Sequence, residues 1–234
     1  MAINTLDEDS LAQAIENIQQ QLTSTYPDLS VTSDSGKIII KGSFPIGFEE
    51  RVLDRYQVRI QWPFTEDTAP TFREIGGRIP WIAERHVNPD GEACLLVPEE
   101  WLLLPSHERS VLHYLGEPVR DFLLGQSIVE RGGTWPWGER PHGFDGLVQA
   151  YEEMLGMKGA ITVYKCFDYL TYPKIQRQWD CPCGSGERAR RCHGEHLKSL
   201  QVRISPNIAR SALNRLREEA AKSGRSRELG ISGR

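Results

Sequence analysis

Residues 51–62 read RVLDRYQVRIQW, and their second half alternates strictly between apolar and polar side chains. Successive side chains of a β-strand point to opposite faces, so this alternation predicts a strand with one buried and one solvated face. Such a strand is typical of an antiparallel sheet that has one face in water. The inward set is Tyr56, Val58, Ile60 and Trp62.

Two elements are predicted before this strand. An amphipathic helix comes first and ends before Pro27, because apolar residues recur at helical spacing at Leu11, Ile15, Ile18 and Leu22. A hairpin follows, since the apolar residues around Leu29 and Ile39 are separated by the turn sequence SDSG. In that turn Gly36 supplies the positive φ that a tight reversal needs.

Helices dominate the region after the strand. Residues 63–89 are rich in proline and predict only a short strand around Thr71–Ile75. Helical spacing then indicates one helix from about Glu108 to Leu124 and another from about Phe144 to Leu155. Strands followed by helices predict an α+β fold, with the helices segregated from an antiparallel sheet.

Charge divides the chain. Residues 1–157 hold 12 basic and 25 acidic residues, a net charge of −13, whereas residues 158–234 hold 16 and 7, a net charge of +9. We expect a main domain over 1–157, a connection with a small appendage that contains cysteines and histidines over 158–204, and a C-terminal helix and tail over 205–234. The basic part can contact nucleic acid or an acidic protein surface, although a solvated helix face explains the charge equally well.

Membrane insertion and secretion are not expected. The chain has no run of eighteen apolar residues, and its first residues, MAINTLDEDSL, lack the basic and apolar regions of a signal peptide. A cytoplasmic protein is therefore predicted.

Past Gly159 the residues AITVYKCFDYL predict a strand or an extended connection. A helix that begins at Ser205 as N-cap, with Pro206 in its first turn, is predicted to end near Gly224. The last ten residues are expected to be disordered.

Three of the five cysteines lie within CPCGSGERARRCHG, residues 181–194. The spacing C-x-C-x8-C-H offers zinc four ligands, which complete a tetrahedron and predict a structural rather than a catalytic ion. The alternative is that these residues form a loop with free cysteines that bind no metal. Residues 180–194 resemble the SEC-C zinc motif, which implies a folding or docking role. The four predicted ligands are Cys181, Cys183, Cys192 and His193.

Cys94 lies outside that cluster, in the stretch HVNPDGEACL, residues 86–95. The NPDG turn presents Cys94 on an extended segment, where a thiolate can attack a carbonyl carbon and form a thioester. The Asn88 carboxamide is a suitable donor to the resulting oxyanion, and His86 can organise the loop or handle a proton. The alternative is that Cys94 is a small buried apolar residue.

With these residues in view, residues 5–157 resemble the ubiquitin-conjugating enzymes. The similarity rests on IQWPFTEDTAPTF, on the spacing of His86, Asn88, Gly91 and Cys94, and on the later WLLLPS. It implies a helix, a four-stranded antiparallel meander, an active-site segment and C-terminal helices. Val87 replaces the family's middle proline, and the run from His86 to Cys94 is two residues shorter.

The insertion GGTWPWGERPHG, which ends at residue 143, has no counterpart in that family. Its residues Glu139, Arg140 and His142 either line the active site or shape a loop.

A domain of this kind joined to a SEC-C motif resembles the conjugating proteins of short bacterial CBASS antiphage operons. The resemblance implies that Cys94 accepts the C-terminal carboxyl of a cGAS-like CD-nucleotidyltransferase as a thioester and passes it to an amine. The chain has no phosphate-binding or adenylation motif of its own, so the activation step would come from another protein.

Two other functions stay open. One is a catalytically inactive module of the same fold that binds proteins through its zinc appendage, with Cys94 buried. The other is a cysteine hydrolase, which needs a histidine and a carboxylate beside Cys94. The candidate histidines for that pair are His86, His107, His113 and His142.

Overall fold

The structure is a computed structural model that describes residues 8–48, 51–65, 67–138 and 141–230. The chain divides into two compact units, residues 1–139 and 140–234. This boundary precedes helix α5, Gly143–Leu155, which the sequence places in a first domain that ends at residue 157. The helix belongs to the second unit because it packs against two later helices of that unit.

The first unit begins with helix α1, Glu8–Thr23, which confirms the predicted amphipathic helix. It buries Ile18 and Leu22. Its Gln19 side chain bonds strand β1, Leu29–Asp34, because the Val31 N–H donates to Gln19 Oε1 at 2.8 Å. Helix and sheet are therefore joined by apolar contact and by hydrogen bonds to the backbone.

Strand β1 is followed by β2, Lys37–Phe48, β3, Arg51–Trp62, and β4, Thr71–Glu74. The four strands form one antiparallel sheet in sequence order. Alternation puts one row of directly paired, buried side chains across the sheet: Val31, Ile40, Ile60 and Phe72. The predicted hairpin and the predicted half-buried strand are both confirmed.

A short helix, α2, Pro98–Leu103, follows the sheet and a largely irregular segment. The next helical stretch runs as α3, Val111–Tyr114, a π-helical turn at residues 115–119, and α4, Arg120–Glu130. The π turn contains Pro118, which has no N–H to donate and needs more room than an α-helix leaves. This helix is confirmed, and it continues past its predicted end at Leu124.

The second unit is helical. After α5 come α6, Ala160–Leu170, α7, Gly194–Arg203, and α8, Pro206–Lys222. The predicted strand at 160–170 is wrong, because the buried positions repeat at helical rather than strand spacing. The β-branched and aromatic residues of this segment favoured the strand prediction. The residues that set the helical period are Val163, Cys166, Phe167 and Leu170, all 0% exposed.

The start of α8 is confirmed. Ser205 caps it, since Oγ accepts the Ile208 N–H at 3.3 Å, and Pro206 opens the first turn. The predicted disorder of the last ten residues is wrong for those the structure describes, because 226–229 form a 3-10 turn that buries Leu229. Residues 231–234 lie outside the described part of the chain.

Taken together, these elements confirm an α+β fold with a four-stranded antiparallel sheet. None of the helices among the described residues is long and apolar enough to cross a membrane.

Candidate functional site

A tight hairpin carries the candidate nucleophile. Val87 and Ala93 pair as an isolated antiparallel bridge, and between them the Gly91 N–H donates to the Asn88 carbonyl at 2.8 Å. Gly91 has a φ of +86°, which a residue with a side chain adopts only with strain. The Ala93 N–H donates to the Phe72 carbonyl at 2.9 Å and attaches the hairpin to β4. The turn predicted from NPDG is confirmed.

Cys94 lies at the end of this hairpin and is exposed. Its N–H donates to the His86 carbonyl at 2.8 Å, and its Sγ lies 3.5 Å from Asn88 Oδ1, to which the thiol donates. The three residues predicted from the sequence therefore meet. His86 meets Cys94 through its backbone and Asn88 meets it through its side chain.

His86 has an unusual backbone for a residue with a side chain. It ends a 3-10 turn at residues 83–85 with φ 52° and ψ 39°, in the left-handed region. That geometry turns its carbonyl toward the Cys94 N–H. Its ring lies 4.6 Å from the Trp135 ring, centroid to centroid. The observed contacts of His86 suit a loop organiser.

Trp135 lies in the insertion that has no counterpart in the ubiquitin-conjugating enzymes. Its contact with His86 was not predicted from the sequence. Its indole contacts the Phe122 ring and covers Gly125, where an added Cβ would lie 2.7 Å from the indole. The signal in the sequence was a tryptophan in a glycine-rich loop. The indole covers Gly125 on helix α4, which lies 10 residues before Trp135 in the chain. No sequence pattern indicates that these two residues are in contact.

The same insertion holds the three other candidate residues, at positions 139, 140 and 142. His142 directly precedes helix α5 and belongs to the second unit. Glu139 and Arg140 lie outside the described residues.

Arg85 and Gln126 form a second contact that the sequence did not indicate. Arg85 Nε donates to Gln126 Oε1 at 2.6 Å, and Gln126 Nε2 donates back to the Arg85 carbonyl at 2.6 Å. Gln126 is 0% exposed on α4. The backbone that leads into His86 is thus bonded to a buried amide of the helix.

A charged cluster lies next to this contact and includes Glu130, the last residue of α4. Arg78 pairs with Asp54 at 2.8 Å and with Glu130 at 2.6 Å, and its guanidinium lies over the Tyr56 ring. The Arg78 hydrogen bond holds the pKa of Asp54 well below its usual range. Burial raises the pKa of Tyr56 to about 12, so this phenol stays neutral at physiological pH. Arg85 is linked to the cluster, 3.7 Å from Glu130.

These contacts define what the first site can do chemically. An exposed thiol can attack an electrophile from outside the protein. Rotating the Asn88 carboxamide about its Cβ–Cγ bond exchanges its oxygen and nitrogen, which places an N–H donor near the sulfur. Such a donor is suited to an oxyanion that forms on the attacked carbon.

His107 and His113, candidates for a hydrolase pair, are also in the first unit. His113 lies 3.5 Å from Glu117 and stacks on Trp101, and His107 lies 3.6 Å from Glu108. Each therefore has a carboxylate neighbour.

The second candidate site is the cysteine and histidine cluster of the second unit. The ligand atoms of all four predicted residues lie within 4.8 Å of one another. Cys181 Sγ and Cys192 Sγ lie 3.2 and 3.1 Å from His193 Nδ1, and Cys183 Sγ lies 3.6 Å from Cys192 Sγ. A tetrahedral zinc ion holds sulfur and nitrogen ligands roughly 3.5–3.8 Å apart. The cluster is compatible with a zinc site.

Local backbone contacts set the shape of this cluster. Asp180 and Arg188 pair as an antiparallel bridge, and the Cys181 N–H donates to the Glu187 carbonyl at 2.7 Å. The ligands are therefore held on a small folded loop.

Two thiols of the cluster differ in their pKa. Burial raises the pKa of the Cys181 thiol to about 11, whereas a hydrogen bond from Ser185 lowers the pKa of the Cys183 thiol to about 6.

His196, the next histidine after the cluster, is half-buried. Its Nε2 lies 2.7 Å from the carbonyl of Leu155, the last residue of α5. The histidine that follows the cluster therefore attaches α7 to α5 within the second unit.

Comparison of the chain with protein-family models, with curated proteins and with solved structures finds no match.

Proposed function

We propose that the chain is a cysteine-dependent acyltransferase that carries the C-terminus of a partner protein as a thioester on Cys94. The observation that carries the proposal is the exposed Cys94 thiol 3.5 Å from the Asn88 carboxamide, on a hairpin bonded to the His86 backbone. An inactive binding module would bury this cysteine, and its exposure favours the transferase.

The proposed reaction has two steps. Cys94 Sγ attacks the carbonyl carbon of an activated C-terminal carboxyl, the C–S bond forms, the activating group leaves, and the thiol proton passes to solvent. An amine nitrogen then attacks the same carbon, the C–S bond breaks, and the thiolate is restored as the amine loses a proton. Both steps pass through an oxyanion, for which Asn88 is the proposed donor.

The order of elements supports a ubiquitin-conjugating-like fold for the first unit. A helix, a four-stranded antiparallel meander, the Cys94 segment and further helices follow one another as that family would require. The proposed donor is the C-terminus of a CD-nucleotidyltransferase, by resemblance to the CBASS conjugating proteins. Conjugation would prime antiphage signalling.

For the second unit we propose a structural zinc ion held by Cys181, Cys183, Cys192 and His193. Four protein ligands fill a tetrahedron and leave no position for a substrate. The ion would fix the loop from which α7 begins, because α7 starts at Gly194, directly after the fourth ligand. The basic second unit is the proposed docking part.

The test is co-expression of the chain with a CD-nucleotidyltransferase and its activating enzyme, followed by electrophoresis with and without thiol reductant. Wild-type protein should give an adduct that the reductant cleaves. Cys94→Ser should give a reductant-resistant oxyester, and Cys94→Ala should give none. Cys166→Ala, which removes a buried thiol, is the matched control and should behave as wild type. An undiminished adduct in Cys94→Ala would refute the assignment of the nucleophile.

A further inference from the structure

We infer that Gln126 is a positioning residue that sets the geometry of Cys94 through the backbone of Arg85 and His86. Gln126 lies on α4, is 0% exposed, and uses both ends of its amide on one residue of the loop. Its Oε1 accepts from the Arg85 guanidinium at 2.6 Å, and its Nε2 donates to the Arg85 carbonyl at 2.6 Å. We call this reciprocal pair of bonds the amide clamp.

The amide clamp acts on the peptide bond that joins Arg85 to His86. Because the peptide group is planar, fixing the Arg85 carbonyl also fixes the orientation of the His86 N–H. That N–H donates to the Ala83 carbonyl at 2.8 Å, and His86 then takes its left-handed conformation. A non-glycine residue in that region needs support from its surroundings, and the clamp supplies part of it.

The next link reaches the thiol. The His86 carbonyl, aimed by the left-handed backbone, accepts the Cys94 N–H at 2.8 Å. Cys94 in turn holds its Sγ 3.5 Å from Asn88 Oδ1. A shift of the His86 carbonyl therefore moves the thiol relative to the carboxamide. Reactivity is sensitive to such shifts, since misplacement by about 1 Å can cost roughly a hundredfold in rate.

Neighbouring charges support the same geometry. Arg85 Nη2 also lies 3.7 Å from Glu130 Oε1, so its guanidinium is held by two residues of α4. The Arg85 side chain is only 15% exposed. Water therefore competes weakly with the amide clamp, and a polar side chain at position 126 has a role that packing alone would not require.

The test compares Gln126→Met, which keeps volume and removes both bonds, with Gln126→Glu, which keeps only the acceptor for the guanidinium. Ser127→Ala is the matched control, because Ser127 is equally buried on the same helix but bonds Asp54 instead of the loop. Two quantities are measured in the full chain: hydrogen exchange of the Cys94 amide, and the rate of Cys94 acylation by p-nitrophenyl acetate. In that acylation the C–S bond forms, the ester C–O bond breaks, nitrophenolate leaves and the thiol proton passes to solvent.

Both Gln126 variants should raise exchange at the Cys94 amide about tenfold, since the carbonyl half of the clamp is lost in each. They should slow acylation about tenfold. Ser127→Ala should leave both quantities within about twofold of wild type, whatever its effect on global stability. Unchanged exchange in Gln126→Met overturns the clamp, and raised exchange with unchanged acylation overturns the positioning role.

The role in catalysis rests on the proposed function, whereas the exchange measurement does not. If Cys94→Ala gives the same nitrophenolate release as wild type, the proposed nucleophile is wrong. Exchange at residue 94 in the Gln126 variants still decides whether the clamp exists.

Discussion

The backbone N–H of Cys94 is bonded to the carbonyl of His86 at 2.8 Å, across a turn of only seven intervening residues. This bond closes the hairpin and makes the cysteine and the histidine neighbours through their main chains. The His86 ring points to a different partner, the indole of Trp135, at 4.6 Å. Because the carbonyl that accepts the Cys94 N–H belongs to a residue in the left-handed region, substitution of His86 by residues that avoid this region should disturb Cys94.

Gly91→Ala should destabilise the hairpin. The backbone there has a φ of +86°, and the new Cβ would lie 2.8 Å from the Trp81 ring. The conformational cost of about 1–2 kcal/mol adds to that of displacing the indole. Urea unfolding should show a lower free energy of unfolding. The matched control is Gly77→Ala, whose φ is +77° but whose Cβ would meet nothing within 4 Å. Equal losses in the two variants would show that Trp81 does not pack on the turn.

Gly125→Ala should move Trp135. Alanine favours a helix over glycine by up to about 1 kcal/mol, but the new Cβ would lie 2.7 Å from the indole. Overpacking of this kind costs about 1–3 kcal/mol, so the net free energy of unfolding should fall. The tryptophan emission should shift to the red. Gly116→Ala, where the nearest atom is 3.9 Å away, tests the helix propensity without the clash. A stabilised Gly125→Ala protein would contradict the contact.

The Asp54 ion pair should make stability depend on pH in the acid range. Because the pKa of Asp54 is held below its usual range by Arg78, the ionised carboxylate stabilises the folded state above about pH 4. This stabilisation is lost as the pH falls through the folded-state pKa. Asp54→Asn should lower the free energy of unfolding by about 2 kcal/mol at pH 7, and the difference from wild type should shrink toward pH 2.

Asp28→Asn is the control for that titration. Its carboxylate pairs with Arg55, but it is 51% exposed, and exposed pairs contribute about 0–1 kcal/mol. A pH-independent difference between Asp54→Asn and wild type would show that the Asp54 carboxylate carries no special stabilisation.

Purified chain should contain a single zinc ion, measured by elemental analysis. Removal by a strong chelator should increase hydrogen exchange in the 181–194 loop and at the start of α7, since the ion would replace a core that this loop is too small to form. Cys183→Ser should lower zinc content, whereas Cys166→Ala, which changes a buried cysteine outside the cluster, should retain it. Full zinc content in Cys183→Ser would contradict the ligand set.

Elements with a strong local period were predictable from sequence. Helix α1 and strand β3 follow from apolar spacing, and the cap of α8 follows from Ser205 and Pro206. The cysteine and histidine cluster was predictable for the same reason, because all four residues lie within 13 residues and their spacing constrains their geometry. At residues 160–170, residue type and spacing indicated different structures. The β-branched and aromatic residues led to the wrong prediction of a strand, whereas the helical spacing of the buried positions agrees with the observed helix α6.

Of the residues around Cys94, some were predictable from the sequence and others were not. His86, Asn88 and Cys94 were identified because a turn of fixed length brings them together. Gln126 was not, since it lies 41 residues from Arg85, and neither residue's neighbours in sequence indicate a partner. Interactions along the chain are encoded in spacing, which a sequence displays. Contacts between distant residues depend on how helix α4 packs under the loop, and only the tertiary structure fixes that packing.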